Sequence, residues 1–186
     1  MCGISGVVGL KNISQLLFEG IRNLEYRGYD SCGVAIMNKT HLVIKKDVGE
    51  VEEVYRKHNV LQHKSNIGIA HTRWATHGKV NQENTHPFTS CDGNFAVVHN
   101  GIISNYRTLR DQLNKEGYKF TSETDTEVIA HLLEKFFKKS RDTEKALVRT
   151  LNVIEGTFAL AFICNYLPGH IFCAKRESPL MLGIGD

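Results

Sequence analysis

The chain has 186 residues, of which 41% are hydrophobic and 23% are charged, and its formal net charge is +3. These values fit one soluble globular domain and argue against a strongly basic nucleic-acid-binding surface. No apolar run approaches the roughly 20 residues of a membrane span, and no basic-then-apolar leader opens the chain. We therefore expect a cytoplasmic protein with neither nucleic-acid nor membrane partners.

Short β-prone runs and amphipathic segments of helical spacing follow one another along the chain. The predicted strands are residues 4–8, 33–37, 42–44, 67–71, 95–99, 157–164, 171–174 and 180–184. The first predicted helix begins at about residue 14 and stops at Gly28. Four more are predicted at about residues 50–61, at 104–116, from 124 onwards and at 143–154. Strands at both ends with two adjacent helices between them predict sheets and helices in layers, without a parallel βαβ rhythm. A capping box at Thr124 and Glu127 would start the fourth helix.

Cys2 becomes the N-terminal residue once the initiator Met1 is removed. A free α-amine titrates near neutral pH and below an ordinary thiol, so it can take the proton of a thiol on the same residue. Such a residue is a nucleophile that carries its own base. From the first four residues alone, a small residue without a function is the favoured interpretation. While Met1 is attached, the nitrogen of Cys2 is an amide and cannot act as a base.

Asn100 and Gly101 follow the predicted strand 95–99. Asn-Gly is the strongest short hairpin signal, so a turn is the favoured interpretation of the pair alone. The next residues run into a predicted helix, however, and not into a clean return strand. An Asn amide beside a backbone N–H can also stabilise an oxyanion, a contribution of about 10²–10³ in rate.

Four other residues each have a structural and a functional interpretation. Arg73 could form a surface ion pair or bind a carboxylate through its planar fork. Trp74, the only tryptophan, could cover the edge of the core or serve as a gate or substrate wall. Asp125, in the predicted first helical turn, could favour the positive helix end, receive an ammonium, or both. Arg27 could be a charge at a helix end or could orient the nucleophile.

Metal binding is not expected. The intervals between His71, His77, His86 and His99 match no standard ligand spacing. The five cysteines are odd in number and irregularly spaced, which indicates neither a disulfide framework nor a zinc pattern. No cofactor is expected either.

Five segments occur in one order: residues 2–4 (Cys-Gly-Ile), 24–31 (Leu-Glu-Tyr-Arg-Gly-Tyr-Asp-Ser), 71–78 (His-Thr-Arg-Trp-Ala-Thr-His-Gly), 98–102 (Val-His-Asn-Gly-Ile) and 122–127 (Ser-Glu-Thr-Asp-Thr-Glu). With them the chain strongly resembles, over essentially its whole length, the glutaminase domain of the class II glutamine amidotransferases, which are N-terminal nucleophile hydrolases. Segments 26–31 and 71–78 resemble the hexosamine-forming branch, since amidophosphoribosyltransferases carry Gln before the aspartate and Tyr-Ser in place of Trp74-Ala75. The resemblance implies an α+β fold, a four-layer αββα sandwich, in agreement with the predicted layers.

The resemblance also implies the chemistry of the site. Cys2 would attack the side-chain amide of glutamine with its own α-amine as general base, releasing ammonia and forming a γ-glutamyl thioester that water hydrolyses to glutamate. The Asn100 side chain and the Gly101 N–H would stabilise the oxyanion. Arg73 would hold the α-carboxylate of glutamine, and Asp125 would hold its α-ammonium.

Four more roles follow from the same resemblance. Arg27 would help to orient the nucleophile, and Trp74 would gate the passage of ammonia. Thr76 and His77 would line the substrate pocket, largely through backbone atoms.

The chain is expected to be one glutaminase domain, residues 1–186. By resemblance, the full enzyme would be a homodimer that passes ammonia to fructose 6-phosphate through sugar-isomerase-type synthase domains absent here. An excised N-terminal domain is therefore at least as strong an expectation as a natural free-standing protein.

Three alternatives stay open. The first is a glutaminase domain of another class II enzyme, such as an amidophosphoribosyltransferase. The second is a non-catalytic glutamine-binding domain, against which the presence of the nucleophile and both oxyanion donors weighs. The third is a Cys–His hydrolase that uses Cys32 or Cys91, although no local signature surrounds either cysteine.

Overall fold

The computed structural model of the protein describes residues 2–39, 41–74 and 79–185. Its strands are β1 (Gly3–Val8), β2 (Ser31–Asn38), β3 (His41–Val48), β4 (Ile67–Arg73), β5 (Phe88–Thr89), β6 (Phe95–Ile103), β7 (Gly156–Cys164) and β8 (Phe172–Arg176). Its α-helices are α1 (Ser14–Arg22), α2 (Val51–Lys57), α3 (Tyr106–Lys115), α4 (Glu127–Ser140) and α5 (Thr143–Val153). Two short 3-10 helices cover Glu25–Arg27 and Val60–Gln62.

The strands form two four-stranded sheets, ordered β1-β4-β2-β3 and β5-β6-β7-β8. Every pairing of these strands is antiparallel. Alternate side chains of both sheets point to a shared core, because successive residues of a strand face opposite sides. This central core contains Ala35, Met37, Ile67, Ile69, Ala96, Val98, Ala161 and Ile163. The two sheets therefore pack face to face.

Helices cover the outer face of each sheet. On the first sheet, Leu17 and Ile21 of α1 and Val54 of α2 pack in one cluster with strand residues of β2. On the second sheet, Ile129 and Leu133 of α4 are fully buried together with residues of β6 and β7. Full burial of such a side chain contributes about 1.5–3 kcal/mol. The resulting order is helix, sheet, sheet, helix, so the expected four-layer αββα sandwich is confirmed.

Strand β6 runs through the Asn-Gly pair and does not end there. Asn100 pairs with Ala159 and Gly101 with Phe158, in a register without a break from Phe95 to Ile103. The hairpin interpretation of Asn100-Gly101 was therefore wrong. The strand that pairs with β6 is β7, far along the chain, and this long-range pairing overrides the local turn preference.

Two other predictions were also wrong: a strand at residues 180–184 and the end of the second helix. Residues 180–184 form no strand, and Met181 and Leu182 are 91% and 84% exposed. A β-strand requires a hydrogen-bonding neighbour, and none of the described strands runs beside this segment. The predicted helix 50–61 ends at Lys57, because Asn59 adopts a left-handed conformation with φ of 50°, which terminates an α-helix.

The start of α4 departs from the predicted capping box. Thr126, not Thr124, is the residue before the helix, and its side chain makes no capping bond. The Glu127 carboxylate reaches back, accepting hydrogen bonds from the backbone N–H groups of Thr121 at 2.8 Å and Ser122 at 2.7 Å. Asp125 therefore lies before the helix and outside its first turn.

None of the helices within the described ranges is long and apolar enough to span a membrane.

Candidate active site

A cavity of about 590 Å³ opens where β1, β4 and β6 meet. Its lining includes all the described residues that the sequence singled out for the site: Cys2, Arg27, Arg73, Trp74, Asn100, Gly101 and Asp125. The remaining two, Thr76 and His77, lie outside the described residues. Segments from both ends and from the middle of the chain thus converge on one cavity.

Cys2 lies at the entrance to β1, where the strand pairing fixes its backbone. Gly3 pairs with Thr72 of β4, which brings Cys2 beside the end of that strand. The Trp74 backbone N–H donates a hydrogen bond to the Cys2 Sγ at 3.4 Å. A side chain at position 3 has no room, because a Cβ there would lie 2.6 Å from the Leu24 Cβ. The thiol is therefore held in place by backbone contacts.

The Asn100 side chain connects Cys2 to a buried histidine. Its Nδ2 donates to the Cys2 carbonyl oxygen at 3.1 Å. Its Oδ1 lies 3.0 Å from the His71 Nε2, which is also 3.2 Å from the His99 carbonyl oxygen. An amide nitrogen carries two hydrogens, so one can hold Cys2 while the other is available to the cavity.

His71 sets the orientation of that amide. Both atoms near its Nε2 are acceptors, so the hydrogen must reside on Nε2. Burial lowers the pKa of His71 to about 3, and the ring is therefore neutral at pH 7. If the Asn100 amide were flipped, it would place its NH₂ against the Nε2–H and its oxygen against the Cys2 carbonyl. Our sequence reasoning weighed His71 only as a metal ligand and missed this contact.

Two more buried histidines surround the same position. The ring of His86 stacks on that of His71 with centroids 3.9 Å apart. The His86 Nε2 and the His99 Nδ1 lie 3.1 Å and 2.9 Å from the Thr126 Oγ1. Burial lowers the pKa of both rings. These two neutral rings form a polar part of the cavity wall.

Gly101 occupies a backbone conformation that excludes a side chain. Its φ is +132°, and a Cβ at this position would lie 2.0 Å from the Thr157 carbonyl oxygen. A residue other than glycine would have to displace β7. The Gly101 N–H is consequently oriented by a backbone conformation that only glycine can adopt at this position.

A buried cation, the guanidinium of Arg73, faces the cavity beside the thiol. Arg73, at the end of β4, is 6% exposed, and its Nη1 donates to the Lys79 carbonyl oxygen at 3.3 Å. Burial lowers the pKa of Arg73, while Cys2, Asp30 and Asp125 oppose this shift. An arginine remains protonated under such conditions.

Asp125 is anchored to β6 by its carboxylate. Its Oδ2 accepts a hydrogen bond from the Ile103 backbone N–H at 2.7 Å. The contact replaces the expected interaction with the first turn of α4 and fixes the carboxylate at the cavity wall. A carboxylate has further acceptor sites, so this anchor leaves it able to bind a ligand ammonium.

Arg27 and Trp74 lie next to the nucleophile. Arg27 ends the 3-10 helix Glu25–Arg27. The following residue, Gly28, packs so closely that a Cβ there would be 2.6 Å from the Trp74 nitrogen. The Trp74 side chain is 45% exposed, and its ring centroid lies 5.7 Å from that of Tyr29. It therefore stands at the rim of the cavity and does not close the core.

The other candidate nucleophiles are placed elsewhere. Cys32 is buried in β2, and burial followed by the charge of Glu25 raises the pKa of its thiol. Cys91 is exposed and does not line the cavity. Cys32 therefore lacks the surroundings of an activated nucleophile, and Cys91 lies outside the cavity that holds the other site residues.

Comparison with known proteins agrees with this geometry. The family described as a glutamine amidotransferase domain matches residues 71–179, more than half of the chain. The chain belongs to this family.

Relatives of this amidotransferase domain are longer proteins. Glutamine–fructose-6-phosphate aminotransferases [isomerizing] from Pyrococcus horikoshii and Aquifex aeolicus are 45% and 46% identical to it over 100% of the chain. The chain spans 31% of the length of each.

A solved structure confirms the fold. The glutamine phosphoribosylpyrophosphate amidotransferase from B. subtilis superposes with a TM-score of 0.75 at 27% identity, covering 89% of this chain and 35% of that one. The resemblance drawn from the five sequence segments is thereby confirmed at the level of family and fold.

Proposed function

We propose that the chain is the glutaminase domain of a glutamine–fructose-6-phosphate aminotransferase, which makes glucosamine 6-phosphate, and that it hydrolyses L-glutamine to glutamate and ammonia. One observation carries this proposal. The Cys2 thiol lies in a cavity with an oriented Asn100 amide, a buried Arg73 guanidinium and the Asp125 carboxylate. These groups suit attack on the side-chain amide of a zwitterionic amino acid.

Catalysis begins with the free α-amine of Cys2, formed when Met1 is removed. The amine takes the thiol proton, and the sulfur attacks the side-chain carbonyl carbon of glutamine. The resulting oxyanion accepts hydrogen bonds from the second Nδ2 hydrogen of Asn100 and from the Gly101 N–H. The ammonium formed on Cys2 returns the proton to the leaving nitrogen, and ammonia departs.

The second half of the reaction reuses the same groups. The α-amine of Cys2 takes a proton from water, which attacks the γ-glutamyl thioester. The oxyanion again forms beside Asn100 and Gly101. Collapse of this oxyanion breaks the C–S bond and releases glutamate, and the ammonium of Cys2 returns its proton to the sulfur. No histidine is required, which agrees with the neutral, hydrogen-bonded histidines in and next to the cavity wall.

Glutamine would be selected by its two opposite charges. Arg73 holds the α-carboxylate through its planar fork, and Asp125 holds the α-ammonium. An amide that lacks either charge would leave Arg73 or Asp125 uncompensated, which disfavours its binding. Thr76 and His77 complete the pocket in this proposal, Arg27 orients the nucleophile, and Trp74 gates the passage of ammonia.

We further propose that this one domain, residues 1–186, works with sugar-isomerase-type synthase domains in a cytoplasmic homodimer. The sequence relatives that carry the fructose-6-phosphate name support this choice at 45–46% identity. The amidophosphoribosyltransferase alternative has support at 27% identity. The products separate the two: the native protein should form glucosamine 6-phosphate from fructose 6-phosphate, and phosphoribosylamine formation from phosphoribosyl pyrophosphate would favour the alternative.

Glutamine hydrolysis by the chain freed of Met1 tests the proposal. We expect glutamate release that Cys2→Ala abolishes and that Cys173→Ala, a matched control at a half-buried cysteine on β8, leaves intact. A form that retains Met1 should be inactive, because its Cys2 nitrogen is an amide. Full activity in Cys2→Ala would exclude the mechanism, and full activity with Met1 attached would exclude the α-amine as base.

A further inference from the structure

A second group of chemically reactive side chains lies outside the cavity. Cys91 occupies the turn between β5 and β6, and His131 and Glu134 lie on α4. One potential ligand atom from each of the three falls within 4.8 Å of the others. The thiol is exposed, whereas the histidine and glutamate are 1% and 2% exposed.

The separation of the sulfur and the nitrogen fits a tetrahedral metal ion. The Cys91 Sγ lies 3.7 Å from the His131 Nδ1. Zinc bonds of about 2.3 Å to sulfur and about 2.0–2.1 Å to nitrogen, at a tetrahedral angle, place the two ligand atoms about 3.6 Å apart. His131 and Glu134 are three residues apart on one helix and therefore share a face. The Glu134 oxygen, within 4.8 Å of the other two atoms, would move towards them to complete the site.

The second nitrogen of the histidine is buried and faces a carboxylate. The His131 Nε2 lies 3.6 Å from the Glu127 Oε1. Glu127 accepts hydrogen bonds from the Ser122 N–H at 2.7 Å and from its hydroxyl at 2.6 Å, which hold the carboxylate beside the ring. The 3.6 Å separation exceeds a hydrogen bond, and a small shift that closed it would direct the Nδ1 lone pair to an ion, the arrangement typical of zinc-bound histidines.

The sulfur and the glutamate are also prepared for binding. The Lys119 backbone N–H donates to the Cys91 Sγ at 3.3 Å, which fixes the position of the sulfur. The Asp92 N–H donates to one oxygen of Glu134 at 3.3 Å. The other oxygen pairs with Lys138, whose side chain is 55% exposed and can move into solvent.

We propose that Cys91, His131 and Glu134 bind one Zn²⁺ ion, with water as the fourth ligand on the exposed side. The mixed sulfur, nitrogen and oxygen donors favour zinc. The ion would tie the turn at Cys91 to α4. The sequence intervals gave no sign of it, because the cysteine lies 40 residues before the histidine. The inference is independent of the glutaminase proposal.

Cobalt(II) spectroscopy tests the site directly. The purified chain carrying Cys2→Ala, which removes the thiol beside the chain terminus, is titrated with Co²⁺ alone. We expect one equivalent to bind, with a thiolate-to-cobalt charge-transfer band and the visible bands of a tetrahedral ion. One equivalent of Zn²⁺ should displace the cobalt and abolish the spectrum.

Variants in the same background assign the ligands. Cys91→Ser should abolish the charge-transfer band, and Cys173→Ser should retain it. Glu134→Gln, which keeps the size of the side chain, should weaken Zn²⁺ binding about tenfold or more. Zinc should raise the Tm of the parent and leave that of Cys91→Ser unchanged. Absence of the band, its survival in Cys91→Ser, or equal zinc affinity in the parent and Cys91→Ser would overturn the proposal.

Discussion

Replacing His71 with leucine removes the donor that holds the Asn100 amide in place. The Nε2–H of His71 contacts the Asn100 Oδ1 at 3.0 Å, and the Asn100 Nδ2 contacts the Cys2 carbonyl at 3.1 Å. Without the first contact, the two flipped positions of the amide become closer in energy. The nucleophile, the Gly101 N–H and the charged pair that would bind glutamine are not altered directly.

The size of the effect follows from the free energy of one hydrogen bond. A neutral bond contributes about 0.5–1.5 kcal/mol net, so the ratio of correctly oriented to flipped amide should fall about 2- to 13-fold. The upper limit is complete loss of an oxyanion donor, about 10²–10³ in kcat. The KM for glutamine should change little, because Arg73 and Asp125 do not contact His71 in this account. His71→Gln, which retains an amide donor, should recover part of the activity.

A double-mutant cycle with Asn100→Ala distinguishes positioning from general damage. Glutamate release gives kcat and KM for the four proteins, and thermal unfolding checks that each is folded. If His71 acts through Asn100, His71→Leu should reduce kcat in the parent and have almost no effect in the Asn100→Ala background. An equal reduction in both backgrounds, or an unchanged kcat in the single variant, would refute the reasoning.

Three other outcomes are expected. Asp125→Asn should raise the KM for glutamine about 10- to 100-fold with a smaller change in kcat, because a charge-assisted bond is lost; an unchanged KM would restrict Asp125 to a structural role. Gly101→Ala should lower kcat at least about 100-fold and reduce Tm, since its Cβ would lie 2.0 Å from a β7 carbonyl oxygen. Gly93→Ala, whose added Cβ would have no other atom within 4 Å, should retain activity. The free energy of unfolding should fall by about 2 kcal/mol from pH 7 to pH 5 on account of His71 alone. Over this range the histidine of the unfolded chain (pKa about 6.5) takes up a proton, whereas the folded one (pKa about 3) stays neutral. Denaturant titrations at the two pH values measure this loss, and His71→Leu should reduce it; a stability independent of pH over that range would contradict the burial of a neutral ring.

Local sequence patterns predicted the elements but not the way in which distant segments complete them. The starts of α1 and α5 at Ser14 and Thr143 agree with the predicted helices. Strand β6 extends past Asn100 because β7 pairs with it, and residues 180–184 stay irregular because no described strand is adjacent. Strand partners are decided by the whole fold, so a local signal such as Asn-Gly cannot report them.

The residues of the candidate site were likewise predicted from the sequence, but not all of the contacts between them. The sequence segments named the residues that line the cavity, including Cys2 and Asp125. They did not identify His71 as the partner of the Asn100 amide, since that contact joins β4 to β6 across the two packed sheets. The catalytic roles themselves stay predictions.

A γ-glutamyl thioester on Cys2 is the central claim, and its direct detection is the sharpest test. The chain freed of Met1 is mixed with glutamine, quenched in acid within the first turnovers and digested for mass spectrometry. We predict that the peptide beginning at Cys2 carries one γ-glutamyl group, that hydroxylamine removes it, and that it is absent from Cys2→Ala. Glutamate release without this adduct, or with the adduct on another residue, would contradict the account.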